Sequence, residues 1–177
     1  MIDWNTVIRE AHKTAVEKGW WDRPVTVESQ ICNLHCELSE AWQEYRNGHA
    51  IDEIYCAVAR CQNALMCKER CLEYHPQGIP IELADFCLRV CDWMGKKGIE
   101  YPQHDKYTWV ECYTFEGFIE ELHGVLEGGN FPLDEASYIL DSVSINCEKL
   151  GIPLEEALRQ KMEYNRKRPW RHGGKRV

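Results

Sequence analysis

Apolar residues recur along this chain at intervals of three and four positions, the spacing that places side chains on one face of an α-helix. The first such stretch predicts a helix over about 4–18, which "KGWWDRP" ends. The next begins after Thr26 and continues to about residue 47, where Gly48 provides the stop. Alternation of apolar and polar residues, the mark of a half-buried strand, is absent from the sequence. The pattern therefore predicts helices.

The same periodicity predicts five further helices. They span about 51–74, 80–97, 108–126, 133–150 and 154–167. Segments rich in proline or glycine separate them, among them "HPQGIP", "GGNFP" and "RPW". Neither a fixed repeat nor a change in composition divides the chain. We therefore expect a single domain over residues 1–177 with an all-α fold, in the form of a helical bundle.

Composition adds a location to this prediction. The 177 residues are 44% apolar, enough for one sizeable core. There is no run of about 18 apolar residues, and "MIDWNTVIREAH" lacks the apolar centre of a signal peptide. The sequence predicts a soluble, cytoplasmic protein.

Ten cysteines raise the question of disulfides or a metal. Three pairs, Cys32/Cys36, Cys67/Cys71 and Cys87/Cys91, are four residues apart and so share a helix face. No CxxC pair occurs, and free thiols are the usual state in a reducing cytosol. We therefore expect the cysteines to serve as small apolar side chains that fill a helical core. A zinc or iron–sulfur site is the alternative.

Charge is divided between the body of the chain and its end. Residues 159–177 hold eight lysines and arginines against the single acid Glu163, a balance of about +7, which leaves about −15 on the rest. Such a division suits an anionic ligand that metal ions meet on one side and basic side chains on the other.

The second predicted helix carries a group of acids. Glu37, Glu40 and Glu44 fall within about 60° of one another on a helical wheel, and Asn33 lies on the same line. They flank the apolar stripe instead of opposing it, which is where a side chain points into the cleft between packed helices. A solvated face would more often mix lysine with glutamate at this spacing.

The helix that begins at Pro80 repeats the arrangement, with Glu82 and Asp85 three residues apart and Arg89 on the same line. Two helices that each offer a carboxylate pair can form an oxygen-rich cage, which hard divalent cations such as Mg²⁺ prefer. A single ExxE motif usually consists of solvent-exposed glutamates that bind nothing, whereas the two motifs together favour a metal site.

The basic end supplies a third group. Lys161, Asn165 and Arg168 share one face of the last predicted helix, and "HGGK", which ends at Lys175, follows. An ammonium, an amide and a guanidinium suit phosphate oxygens and a polar base or sugar edge. A basic extension that binds nucleic acid and an unstructured tail are the alternatives for this segment.

Three segments, in this order, carry a resemblance to a known family. They are "ELSE" with Glu37 and Glu40, "GIPIELADFCLRVCD" with Glu82 and Asp85, and "KMEYNRKRPWRHGGK". Together they closely resemble the MazG-like, all-α nucleoside triphosphate pyrophosphohydrolases. "AHKTAVEKGWW" is similar to the opening helix of that family, so the likeness covers most of the chain.

The resemblance implies a helical bundle, usually a homodimer or homotetramer, that uses Mg²⁺, with Mn²⁺ as a substitute, to hydrolyse a (d)NTP to its monophosphate and pyrophosphate. Such an enzyme removes damaged nucleotides or controls a nucleotide pool, and we expect neither a membrane nor a nucleic acid as partner. The metal ligands map onto Glu37, Glu40, Glu82 and Asp85. The substrate contacts map onto Lys161, Asn165, Arg168 and Lys175.

The chain departs from the family at two places. Many members carry a further glutamate where this chain has Cys36, so one ligand or base is either missing or supplied by Glu44. The segment between the two acidic motifs is also longer than usual, which predicts a helical insertion through 51–74.

Hydrolysis also needs a base and a surface for the nucleobase. A carboxylate not committed to metal could deprotonate the attacking water, and Glu40 or Glu44 is the candidate catalytic residue. Trp20, Trp21 and Trp42 could stack on the base, with Trp21 as the predicted substrate contact; a core or interface role is the alternative for all three.

Two other classes of function compete. The ExxH motif of Glu120 and His123 is typical of di-iron carboxylate bundles, but those need a second ExxH that this chain lacks. A non-enzymatic helical module that binds nucleotides or RNA through the basic end predicts salt-sensitive binding without metal and without turnover.

Overall fold

The computed structural model describes residues 2–58, 74–102, 110–127 and 136–174. Within these ranges the helices are α1 (Trp4–Glu17), α2 (Val27–Arg46), α3 (Ile79–Lys97), α4 (Phe115–Leu126), α5 (Ala136–Leu150) and α6 (Leu154–Lys167), with a single turn at Arg171–Gly174. Two short strands, β1 (Tyr55–Cys56) and β2 (Pro76–Gln77), pair in an antiparallel ribbon. The predicted all-α character is confirmed for the described residues.

Local signals explain where the helices begin and end. The side chain of Asp3 accepts a hydrogen bond from the Thr6 amide at the start of α1, and Thr26 accepts one from Ser29 at the start of α2. Gly98 ends α3 in the left-handed conformation, with φ at 68°. These are the boundaries that the sequence predicted to within a residue or two.

Helix α3 is the centre of the fold. It packs against α1, α2, α5 and α6, and most of its residues are buried. Its apolar side chains, such as Phe86 and Val90, join those of Leu38 and Phe118 in one hydrophobic cluster. Because α3 is enclosed on several sides, an acid on it lies in a crevice between helices instead of in open solvent.

The ribbon corrects one prediction. The helix expected over 51–74 is wrong for residues 51–58, which form a turn and strand β1, while residues 59–73 lie outside the described ranges. Tyr55 pairs with Gln77 and Cys56 with Pro76. A Cβ on Gly78, whose φ is 117°, would lie 2.2 Å from the Glu53 carbonyl oxygen. Only glycine therefore lets the ribbon approach the start of α3 this closely.

The helix predicted over 108–126 begins at Phe115, because Thr114 caps it and residues 110–114 are not helical. The start predicted at residue 133 for α5 lies outside the described residues. None of the described helices is both long enough and apolar enough to cross a bilayer.

The cysteines divide into two groups. Four of them, Cys87, Cys91, Cys112 and Cys147, are buried free thiols, which confirms core filling for these positions. The same expectation is wrong for Cys32 and Cys36, which are free but exposed. Cys67 and Cys71 lie outside the described residues.

Candidate active site

A cavity of about 520 Å³ lies among α2, α3, α6 and the connection between α1 and α2. Its lining combines acids with bases and aromatic rings. The residues that matter for its chemistry are Trp20, Trp21, Cys36, Glu37, Glu40, His75, Gln77, Glu82, Asp85, Arg89, Asp92, Lys161, Asn165, Arg168, Arg171 and His172. Both acidic motifs predicted from the sequence and the described part of the basic end thus contribute to one cavity.

Three carboxylates converge at one part of this cavity. Glu37 and Glu40 of α2 and Glu82 of α3 each offer an oxygen, and these oxygens all lie within 4.8 Å of one another. Glu37 and Glu82 are each only 4% exposed, whereas Glu40 is exposed. A three-residue step on α2 puts its two acids on one side, and the packing of α2 on α3 brings in the third.

Glu37 is held by a neighbour on α3. The Nε atom of Arg89 donates to its Oε1 at 2.6 Å. Burial and the charge of Asp85 raise the pKa of Glu37 to about 7, although Arg89 acts in the opposite direction. The nearby guanidinium therefore does not fully offset the effects of burial and of the neighbouring acids on this carboxyl group.

The pKa of Glu82 is raised even more than that of Glu37. Burial is the main cause that raises its pKa to about 8, and Asp85 and Glu37 add to the shift. Lys161 acts against it but is committed elsewhere. Its Nζ lies 2.8 Å from Oδ2 of Asp85. Glu82 itself has no ion pair or hydrogen bond among the described residues.

Lys161 connects the acidic motifs with α6. It is 3% exposed, and although burial favours its neutral form, Asp85 and the nearby glutamates together raise its pKa. The ammonium is therefore charged, and it takes the place that a metal cation could occupy among these acids. The sequence predicted that Lys161 contacts substrate; the structure places it against the predicted metal ligand Asp85.

Glu44 lies apart from this group. It does not line the cavity, and its Oε2 accepts a hydrogen bond from the hydroxyl of Tyr55 at 2.9 Å. Burial and the Glu44 carboxylate raise the pKa of Tyr55, which keeps that hydroxyl a donor. Of the two predicted base candidates, Glu40 is the one that faces the cavity.

Asn165 and Arg168 lie where the shared face of α6 predicted, along the cavity. The Oδ1 atom of Asn165 is enclosed and accepts no hydrogen bond from the described residues, so a ligand N–H or O–H group would satisfy it. The guanidinium of Arg168 lies 5.4 Å from the ring centre of Tyr164, which stacks on His75. Lys175 lies outside the described residues.

The predicted aromatic contacts separate into two groups. Trp21 lines the cavity, and its indole N–H donates to Oδ1 of Asp92 at 2.9 Å, the same oxygen that lies 2.8 Å from Nδ1 of His12. That bond fixes the ring plane. Trp42 stacks on Tyr45 and does not line the cavity.

Sequence reasoning did not single out Arg171, His75 or Gln77 as site residues, although all three line the cavity. His75 and Gln77 belong to "HPQGIP", which reads only as a helix break, and the ribbon is what turns them inward. For Arg171 a signal existed in the interleaved "RPWRH", where bases alternate with an aromatic residue.

The donor set fits a divalent cation. Two enclosed carboxyl groups with raised pKa values and an exposed third, all within reach of one ion, favour a positive charge among them. Oxygen-only ligands suit hard cations. Among the described residues this is the single group of three or more acidic, histidine or cysteine side chains with that spacing.

The ExxH motif does not join such a group within the described part of the chain. Glu120 is exposed, and Nδ1 of His123 lies 2.7 Å from Nδ1 of His35 in a stacked pair of rings. A di-iron site would need both side chains to turn toward other carboxylates.

No family model, curated protein or solved structure matches the chain. The fold and the cavity define a mostly helical protein whose cavity is lined by acidic and basic side chains, and one part of this cavity could hold a metal ion.

Proposed function

We propose that this protein hydrolyses a nucleoside triphosphate, with Mg²⁺, to the monophosphate and pyrophosphate. The observation that carries the proposal is the cavity itself, in which Glu37, Glu40 and Glu82 share one space with Lys161 and Arg168. A polyphosphate bound between cations and basic side chains is the ligand that such a division of charge suits best. The sequence resemblance to MazG-like enzymes supports the same reaction.

Residues of α2 and α3 would hold the ion. Glu37, Glu40 and Glu82 offer oxygens, and Asp85 joins them once Lys161 turns to a phosphate. When bound, Mg²⁺ supplies positive charge that offsets the polyphosphate and polarises the phosphorus under attack.

The chain's own residues carry the remaining chemistry. Lys161 and Arg168 donate to phosphate oxygens and keep the chain of phosphates in line for displacement. Asn165 accepts from a ligand donor with its enclosed Oδ1. Glu40, which is exposed to the cavity and has no ion pair or hydrogen bond among the described residues, accepts the proton of the attacking water as the P–O bond to pyrophosphate breaks.

A screen of pyrophosphate release tests this proposal. Canonical and modified ribo- and deoxynucleoside triphosphates are incubated with the protein and Mg²⁺, and with EDTA as the blank. We expect metal-dependent release from at least one of them, and a loss of it in Glu40→Gln. Glu120→Gln, the same exchange at an exposed acid of α4, is the matched control and should retain full activity.

Binding without turnover would overturn the proposal. Salt-sensitive binding of nucleotide or RNA that survives EDTA, and that Glu40→Gln leaves unchanged, would instead indicate a non-enzymatic binding module. Release by the wild type that persists in EDTA would remove the metal from the reaction.

A further inference from the structure

The turn Arg171–Gly174 contains the most completely enclosed arginine of the cavity. Arg171 is 4% exposed, and it lines the cavity together with His172. Its Nε atom is buried and has no hydrogen-bond partner among the described residues. Buried cations are usually paired, because an unpaired charge away from water is costly. The hydrogen bonding of the Arg171 guanidinium is therefore incomplete within the described residues.

Two other bases of the cavity differ from Arg171 in this respect. Arg89 donates to Glu37 at 2.6 Å, and Lys161 lies 2.8 Å from Asp85. In the ligand-free protein, each of these two cations neutralises a carboxylate of the protein itself. Two aromatic rings flank Arg171 instead, with the centres of Trp20 and Trp170 at 5.7 and 5.5 Å from its guanidinium carbon. Rings attract a cation but leave its N–H groups free to donate.

The backbone holds Arg171 in place at a cost. Arg171 and His172 have φ values of 44° and 49°, in the left-handed region that residues other than glycine rarely adopt. The Arg171 amide donates to the Lys18 carbonyl oxygen at 2.9 Å, which ties the turn to the end of α1. Strain that the surrounding structure enforces is typical of positions with a function.

Close packing against the connection between α1 and α2 fixes the aromatic walls. A Cβ on Gly19 would lie 2.1 Å from Nε1 of Trp170, so only glycine admits that indole. His172 meets the Trp20 ring edge-on, with 4.9 Å between ring centres. The guanidinium is therefore preorganised before any ligand arrives, which reduces the entropy lost on binding.

We propose that Arg171 forms an oxyanion subsite that receives the terminal phosphate of the substrate. A planar guanidinium whose Nε–H has no partner among the described residues can donate to phosphate oxygens in a forked arrangement. The acids of α2 and α3 would hold a cation beside the bond that breaks, which leaves the terminal phosphate to Arg171, whose guanidinium has no carboxylate partner among the described residues. This inference rests on the proposed function, and it makes Arg171 the residue that favours triphosphates over diphosphates.

Two variants and two substrates test the subsite. For Arg171→Gln we expect kcat/KM on the preferred triphosphate to fall by about tenfold or more, since hydrogen bonds to a charged group are among the strong ones. On the corresponding diphosphate we expect less than about a threefold change. Arg171→Lys, which keeps the charge but loses the fork, should lie between. Arg159→Gln is the matched control, because Arg159 is exposed and pairs with Glu156 on the outside of α6.

A titration with inorganic tripolyphosphate in EDTA separates this inference from the proposed function. Calorimetry should show binding to the wild type and to Arg159→Gln, and an affinity about tenfold weaker for Arg171→Gln. If the wild type hydrolyses no nucleotide, the proposed reaction fails, and this titration still decides whether Arg171 binds the anion.

Two results would overturn the subsite. One is equal losses on tri- and diphosphate in folded Arg171→Gln, which a purely structural role predicts. The other is tripolyphosphate binding that the substitution leaves unchanged. Urea unfolding shows whether the variants fold, and the wild type offers a measurement that needs no variant. The Nε–H resonance of Arg171 should shift as tripolyphosphate is added, and a resonance that stays fixed refutes the contact.

Discussion

The acidic and basic parts of the cavity handle charge in opposite ways. The acids of α2 and α3 are partly neutralised by the protein, through Arg89 on Glu37 and Lys161 on Asp85. Arg171, the basic residue of the last turn, is flanked by two aromatic rings, and its Nε has no hydrogen-bond partner among the described residues. Yet the acidic part still lacks positive charge, since the pKa values of Glu37 and Glu82 are raised.

The difference suggests two separate requirements. Paired acids can stay folded without a ligand, because side-chain cations occupy part of the place that a metal ion would take. A buried guanidinium with an unpartnered N–H gains its strongest hydrogen bond from an anion. A cation and an anion bound together would complete both parts, and a metal complex of a polyphosphate supplies the two at once.

The largest effect is expected from Glu82→Gln, which removes an enclosed oxygen donor from the acidic part. Turnover should fall by about 10²–10³-fold, as when a group that stabilises transition-state charge is lost. Stability should not fall with it, because Glu82, with a pKa of about 8, is mostly neutral at pH 7, and a neutral amide of the same size costs no more to bury. Pyrophosphate release and urea unfolding in EDTA measure the two quantities. A matching loss of both would mean that Glu82 is structural.

The second prediction removes a cation that neutralises the acidic part. Lys161→Met leaves Asp85 without its ammonium, and we expect the metal-free protein to lose about 3 kcal/mol of unfolding free energy, as for a buried pair that loses one partner. Lys167→Met is the matched control. It removes a lysine from an exposed pair with Glu163 on the same helix, where a change within about 0.5 kcal/mol is expected. Urea denaturation in EDTA distinguishes the two. Equal losses would show that Lys161 does not support the acids.

Residues that act within one helix were accessible from the sequence. The i, i+3 steps Glu37 to Glu40 and Glu82 to Asp85 fix which acids share a face, and the structure has Glu37, Glu40 and Glu82 together. Helix boundaries also followed from caps such as Thr26 and stops such as Gly98, because these signals operate over three or four residues.

Residues whose role depends on packing between distant segments were not accessible. The pairing of Arg89 with Glu37 and of Lys161 with Asp85 needs the relative placement of α2, α3 and α6, which periodicity does not contain. Arg171 depends on a bond to the Lys18 carbonyl, far away in the sequence. Strands of two residues, as at Tyr55–Cys56, are too short to leave an alternating pattern.

The third prediction uses pH, and it acts on the acidic part. Glu37 and Glu82 have pKa values of about 7 and about 8 in the folded protein, above the ordinary value of 4.5. The folded chain therefore binds more protons than the unfolded chain above pH 4.5, so this contribution to stability is complete at low pH and is lost as pH rises toward 8. We expect the unfolding free energy in EDTA to fall by at least about 1 kcal/mol between pH 5 and pH 8.

Added Mg²⁺ sharpens this measurement. A cation stabilises the charged carboxylates, so Mg²⁺ should raise the unfolding free energy more at pH 8 than at pH 5. Glu82→Gln should flatten the pH profile in EDTA. If the unfolding free energy of the wild type in EDTA did not change with pH, the acids would not lack positive charge, and the comparison of the two parts would fail.

The smallest effect is expected at Cys36, the position where the resemblance to MazG-like enzymes predicts a further glutamate. Cys36 is exposed, and it lines the cavity one residue before Glu37. Cys36→Ser should change turnover and stability little, because the thiol is free. Cys36→Glu adds a fourth carboxylate beside the three that converge, and since the number of charged ligands tunes affinity, we expect Mg²⁺ to bind about three- to tenfold more tightly.

Cys32→Glu separates a local ligand from a general gain in negative charge. Cys32 lies one turn earlier on α2, is also exposed, and does not line the cavity. Calorimetric titration with Mg²⁺ should therefore show tighter binding for Cys36→Glu and no more than about a twofold change for Cys32→Glu, since exposed charges at a distance are screened by salt. Equal gains in Mg²⁺ affinity in both variants would mean that a glutamate at position 36 acts only through its negative charge and not as a ligand. A gain confined to Cys36→Glu would place it at the edge of the metal site, so that the acidic part of the cavity has room for one more ligand than this chain supplies.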